Sequence, residues 1–124
     1  MSIGNVVGAA VHLADSIELL SPIVPTPFQG KECVADVLTK LLDTVDAFEP
    51  QLLLHNGADV VVVLTIRFGD HVIDAFDHIH LNKDGLIERM TVAWRPLPAV
   101  VAVQQRLVPK LGGKAMQLVP VDET

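Results

Sequence analysis

Thiols, phenols and positive charge are scarce in this chain. It has one cysteine, Cys33, and no tyrosine. A single thiol excludes an internal disulfide. Cys33 falls in a helical pattern with no histidine partner nearby, so it reads as a structural thiol and not a nucleophile. Nine Lys and Arg stand against fifteen Asp and Glu, for a net charge of −6. The basic residues are scattered and build no patch to neutralise phosphates, which argues against a nucleic-acid partner. The N-terminus lacks a basic segment followed by a long apolar run, and no stretch approaches a membrane span. No membrane partner is expected, and the default location is cytoplasmic.

Hydrophobic residues, by contrast, make up half of the 124 positions. That is ample for one core in one domain spanning residues 1–124, with neither repeat nor linker. The surplus predicts an apolar cavity, an oligomer interface, or both. Residues 3–13 suit one or two turns of helix, weakened by Gly4 and Gly8. Asp15-Ser16 breaks that segment, and residues 17–20 suit a brief strand. Pro22, Pro25 and Pro27 impose a stiff extended loop of the kind that lines a cavity mouth.

Residues 31–48 carry Val34, Val37, Leu38, Leu41, Val45 and Phe48 on one helical stripe, ended by Glu49-Pro50. The period then changes to two. Asn56-Gly57 and Gly69-Asp70 are tight-turn signals between strands at 51–55, 58–68 and 71–81, and a fourth strand begins at Leu86. Residues 97–111 are partly helical up to Gly112-Gly113. The tail 116–124 is expected as a short edge strand or a loose end. The class is α+β, helices first and a four-stranded antiparallel meander after.

The strand at 71–81 sets Ile73, Ala75, Asp77, Ile79 and Leu81 on one face. A carboxyl amid an apolar face is costly unless it is partnered or protonated. The Gly69-Asp70 turn predicts Val62 opposite Asp77, Leu64 opposite Ala75 and Ile66 opposite Ile73. A four-residue loop, Asn82-Lys83-Asp84-Gly85, would set Met90 opposite Asp77, Val92 opposite Ala75 and Trp94 opposite Ile73. A three-residue loop would bring Thr91 beside Asp77 and turn Trp94 outward. The four-residue loop is preferred because it makes one continuous apolar face. Asp77 then projects into a space lined by Val62, Met90 and Trp94, where desolvation raises its pKa. A neutral acid there can donate a hydrogen bond to a ligand carbonyl, and an ionised one can act as a base. The plainer alternative is that Asp77 satisfies a backbone or loop group.

The opposite face carries Asp74, Phe76, His78 and His80 beside Arg89, Thr91, Ala93 and Arg95. His78 and His80 have the spacing of a metal pair, but Asp74 is the only remote third ligand, so no metal is expected. An interface across a two-fold axis suits this face better.

Four pieces carry a resemblance. They are Leu20-Ser21-Pro22, Phe28-Gln29-Gly30 before a helix, Phe76-Asp77-His78-Ile79 followed by Asn82-Lys83-Asp84-Gly85-Leu86-Ile87, and Val92-Ala93-Trp94-Arg95-Pro96-Leu97-Pro98. In order and spacing they resemble the nuclear transport factor 2-like superfamily over residues 14–111, near its SnoaL-like and ketosteroid-isomerase-like branches. The resemblance implies a curved antiparallel sheet, the meander plus a short N-terminal strand, wrapped around helices as a cone with an internal pocket. It implies a homodimer joined through the outer sheet face, at Phe76, His78, His80, Arg89 and Arg95. It also implies a longer first helix than the residues before Ala14 allow, so the N-terminal helix reads as shortened.

The isomerases of that group pair a catalytic base with a tyrosine and a protonated aspartate that hold the substrate oxyanion. Asp77 matches the aspartate. Ser21 stands where the base would be, and a serine hydroxyl is too weak a base without an activating partner. With no tyrosine either, steroid isomerisation by that mechanism is not expected. The Asp-Arg-Asp set of limonene-epoxide hydrolases also fails, since Asp74 and Asp77 point to opposite faces and only Arg67 remains. The expected function is binding of a small, mostly apolar, steroid- or polyketide-like molecule around Asp77. The expected pocket is Ser21, Phe28, Val62, Ile73, Ile79, Met90, Val92 and Trp94, with no cofactor. Isomerase- or cyclase-type acid–base chemistry through Asp77 would be one use of it. The alternative is a non-catalytic ligand-binding or protein-interaction module of the same fold.

Overall fold

A computed structural model describes residues 12–113. Six strands form one open, mixed sheet: β1 (Leu13–Leu20), β2 (Phe28–Gln29), β3 (Ala47–Asn56), β4 (Asp59–Phe68), β5 (His71–Leu81) and β6 (Ile87–Arg95). Their order across the sheet is β2-β1-β6-β5-β4-β3. The meander β3 to β6 is antiparallel throughout, whereas β1 runs parallel to β6. Two helices, α1 (Lys31–Thr44) and α2 (Leu97–Leu107), pack on this sheet and on each other. The expected helix at 3–13 and edge strand at 116–124 fall largely or wholly outside the described residues.

The first strand is longer than its sequence suggests. Leu13, Ala14, Ile17 and Leu19 are buried, while Asp15 and Ser16 are exposed. Leu13 pairs with Ile87 and Glu18 with Arg89, so β1 advances five residues while β6 advances two. Asp15 and Ser16 lie in that irregularity. A bulge lets two polar residues leave the ladder without ending the strand.

Helix α1 starts after Gly30, whose φ of 95° a side chain would resist. It buries Val34, Val37 and Leu38. It stops at Thr44, four residues before the expected end. Val45 turns to extended backbone, and the Asp46 N–H donates to the Arg67 carbonyl at 2.8 Å. Ala47 and Phe48 then pair with Arg67 and Ile66. The apolar stripe at Val45 and Phe48 continues in register with the helix, but the ladder with β4 takes the backbone instead. Pro50 is tolerated because β3 is an edge strand with a register shift beside it.

Phe68 pairs with His71 across Gly69-Asp70, as the sequence predicts. The β3–β4 turn is Gly57-Ala58 and not Asn56-Gly57, since Asn56 pairs with Asp59. The β5–β6 connection differs more. Leu81 pairs with Ile87 and His80 with Arg89, leaving Glu88 as a bulged residue. Asp77 therefore faces Val92, with Ala75 facing Trp94 and Ile79 facing Met90. This corrects the expected partners by two residues. The slip is even, so every side chain keeps its face.

Along α2, Ala99, Val100, Val103 and Leu107 are buried. A 3-10 turn over Val108–Leu111 follows, containing Pro109, which has no N–H for an α-helical bond. Gly112 closes it at φ 85°.

Candidate ligand cavity around Asp77

Between the concave face of the sheet and α1 lies a cavity of about 90 Å³. One water needs roughly 10–15 Å³ on the same measure, so the space is several waters in size. Val62, Leu64 and Ile66 of β4 form one wall, and Leu38 and Leu41 of α1 close over it. Ile87, Met90, Val92 and Trp94 of β6 form the wall on the other side of β5.

Asp77 projects from the middle of β5 into this space, between Val62 and Val92. Its Oδ1 is shut off from solvent and has no hydrogen-bond partner among the described residues. Burial pushes its carboxyl up to about 7. Desolvation is the cause: water that would stabilise the anion has been replaced by hydrocarbon. Near neutral pH the group is thus divided between acid and carboxylate, and can donate, accept or exchange a proton. The indole Nε1 of Trp94 is likewise buried and unpartnered among the described residues.

Of the residues expected around Asp77, Val62, Ile79, Met90, Val92 and Trp94 line the cavity. Ser21, Phe28 and Ile73 do not. The Ser21 hydroxyl accepts the Ile23 N–H at 3.1 Å, which ties it into its own turn. Phe28 sits in the two-residue edge strand β2 and packs on the core from there. Ile73 has no exposed surface and pairs with Ile66 inside the core.

Several wall residues were not anticipated. Leu64 and Ile66 share a face with Val62 by simple alternation, and Leu38 and Leu41 lie on the apolar stripe of α1, so both signals were present. Phe48 and Pro50 also line the cavity. They were hidden by the overlong helix, which kept them out of the sheet.

The outer face carries Phe76, His78, His80, Arg89 and Arg95, all partly or well exposed. His78 Nε2 and His80 Nδ1 lie 2.9 and 2.8 Å from the same Asp59 Oδ1. Hydrogen bonds from His80 and His78 hold the Asp59 carboxyl below its ordinary value. Arg95 pairs with Asp74 at 2.7 Å, and Arg89 with Glu18 at 3.4 Å. Among the described residues no group of three side chains could hold a metal ion.

No protein-family model and no curated protein matches the sequence. Solved structures do match its fold. A steroid delta-isomerase from Pseudomonas aeruginosa superimposes with a TM-score of 0.81 at 24% identity, over 89% of this chain and 83% of its own. An NTF2-like protein of unknown function from Cytophaga hutchinsonii gives 0.65 at 17% identity, over 76% and 88%. This chain has the nuclear transport factor 2-like fold. The epoxide hydrolase/cyclase-like enzyme SalBIII, with a role in pyran ring formation in the polyether salinomycin, shares it at 0.62 and 17% identity, over 75% and 84%. Within this fold the open cone and its parallel β1–β6 pair enclose the cavity described above. Among the described residues no helix is long and apolar enough to cross a membrane.

Proposed function

We propose that the cavity binds a small, mostly apolar molecule of steroid- or polyketide-like character, with Asp77 as a polar contact. One observation carries this reading: Asp77, with a buried Oδ1 that no described residue partners, stands on the wall of a largely hydrocarbon-lined cavity. A structural acid would be paired with backbone, and a neglected one would be replaced by an apolar residue at a gain in stability. A ligand that pairs with Asp77 would satisfy that buried oxygen.

Acid–base chemistry of isomerase or cyclase type is the catalytic form of this reading. Its support is the carboxyl titrating near 7 together with the activities named for two proteins of the same fold. Ser21 is not proposed to share in that chemistry, since it is not among the residues lining the cavity and its hydroxyl accepts the Ile23 N–H. The outer face is the proposed homodimer surface. Phe76 is 46% exposed there, beside Val63 and Ala93, and Leu52 and Leu54 extend the same apolar strip.

Native mass spectrometry with a panel of steroids and aromatic polyketides tests the proposal. A bound species is expected, with any turnover abolished in Asp77→Asn. Binding without turnover would leave the non-catalytic module. No binding across the panel would sink the ligand reading.

A further inference from the structure

β3 forms one edge of the sheet, and among the described residues no strand pairs with its free side. Residues 50–56 are exposed without a break, and none of them is an acid, a lysine or an arginine. Leu52, Leu53 and Leu54 are 50, 52 and 55% exposed. Leu52 and Leu54 pair with Val63 and Val61 and share the outer face with Phe76. Leu53 pairs with Val62, a residue of the cavity wall, and so stands on the concave side. A partner laid on the outer face covers the first and third leucines and misses Leu53. A strand added along the edge covers all three, because it too carries side chains on both faces.

The backbone of this edge can be read from its turn. Asn56 pairs with Asp59 across Gly57-Ala58. Such a turn closes with a bond from the Asp59 N–H to the Asn56 carbonyl. Bonded and non-bonded residues then alternate along an antiparallel pair. Asn56, Leu54 and Leu52 therefore direct N–H and C=O to β4, whereas His55 and Leu53 direct theirs to the free edge. Pro50 has no N–H, and the register shifts between Pro50 and Leu52, so the regular free edge is confined to residues 52–56.

We infer that β3 strands of two copies pair antiparallel about a two-fold axis at Leu54, with Leu53 of each chain hydrogen-bonded to His55 of the other. In this register the two outward residues of one copy meet the two of the second copy, and each pair exchanges both of its N–H···O bonds. Leu54 lies against Leu54 of the second copy on the outer face, with Leu52 on the diagonal. The chain's fifteen acids against nine basic residues oppose self-association over most of its surface. The uncharged strip at 50–56 is where two copies meet without like charges opposed. The contact uses up both free edges, so it does not propagate. It goes beyond the outer-face dimer proposed above and does not depend on it.

Backbone amide exchange of the full chain, read by NMR at rising protein concentration, tests the pairing. The Leu54 N–H, bonded to β4, is the internal reference and should be protected throughout. The N–H groups of Leu53 and His55 should exchange fast in dilute protein and about tenfold or more slower at millimolar concentration. Leu53→Pro removes a donor to the second copy and none to β4, a change that an edge strand tolerates. It should erase the slowing at His55 while leaving the emission of Trp94, the one tryptophan, unchanged. Exchange at Leu53 and His55 that ignores concentration would overturn the edge pairing, and so would slowing that survives Leu53→Pro. The wild-type series decides the matter even if the variant folds poorly. Light scattering of Phe76→Asp reads the outer-face dimer separately.

Discussion

Asp77 and Trp94 stand on diagonal positions of the β5–β6 ladder, and each buries a polar atom that no described residue satisfies. Their alignment depends on the Glu88 bulge. Without it, and with a shorter loop, Trp94 would face Ile73 and sit a further two residues from Asp77. The bulge and the five-residue loop therefore bring the two residues onto one stretch of cavity wall.

The raised carboxyl of Asp77 makes stability depend on pH. Its folded value of about 7 lies above the ordinary unfolded value near 3.9. The folded chain therefore keeps a proton that the unfolded chain releases, and stability falls as pH rises from about 4 to about 7. Asp77→Asn lacks this titration. Relative to wild type it should gain on the order of 2–4 kcal/mol between pH 4 and pH 8. Urea unfolding of both proteins at the two pH values measures the difference. Parallel profiles would show an ordinary, solvated acid.

Ile73 and Met90 separate core from cavity wall. Ile73 has no exposed surface and lines no cavity, so Ile73→Ala should cost about 2–5 kcal/mol. It should leave Trp94 emission unchanged in the folded protein. Met90→Ala enlarges the cavity instead and should alter the emission and the affinity for any bound probe. Chemical unfolding followed by fluorescence distinguishes the two.

The loop that sets the β5–β6 register hangs on Asn82. Its Oδ1 accepts the N–H groups of Asp84 at 2.9 Å and Leu86 at 3.0 Å, and its carbonyl accepts the Gly85 N–H at 3.0 Å. Asn82→Ala removes both side-chain bonds and should cost about 1–2 kcal/mol. Faster amide exchange at Asp84 and Leu86 would accompany the loss. Unchanged exchange would mean that backbone bonds alone hold the loop.

Phe76→Asp tests the proposed dimer. A charge set among Val63, Ala93 and the exposed leucines of β3 should convert a dimer to a monomer in light scattering. The Asp77 titration should be unaffected, since the two side chains lie on opposite faces of one strand. A wild-type monomer at all concentrations would remove this interface.

Much of the site was legible because strand alternation is a local rule. Once residues 71–81 read as a strand, Asp77 had to share a face with Ile73, Ala75 and Ile79. A two-residue turn at Gly69-Asp70 had to place Val62 beside it. The partner on β6 was not legible, because loop length and bulges are chosen by the fit of whole strands and not by four turn residues. The error was even, and faces survived it. Ser21 and Phe28, expected at the pocket from the proline-rich loop and from the resemblance, are not among the residues lining this cavity; Ser21 accepts the Ile23 N–H and Phe28 pairs at the sheet edge.

The amino-acid pattern by itself determined the element types, the two faces of the meander and the isolation of an acid on the apolar one. The tertiary structure decided where α1 stops, since pairing with β4 outweighs a continuing apolar stripe. It also decided that β1 joins the sheet parallel to β6 and that Trp94 stands diagonal to Asp77 on the β5–β6 ladder. Periodicity is written in neighbouring residues, whereas register and strand order are settled by long-range packing. Only that packing leaves a largely hydrocarbon-lined space with Asp77 and Trp94 on its wall.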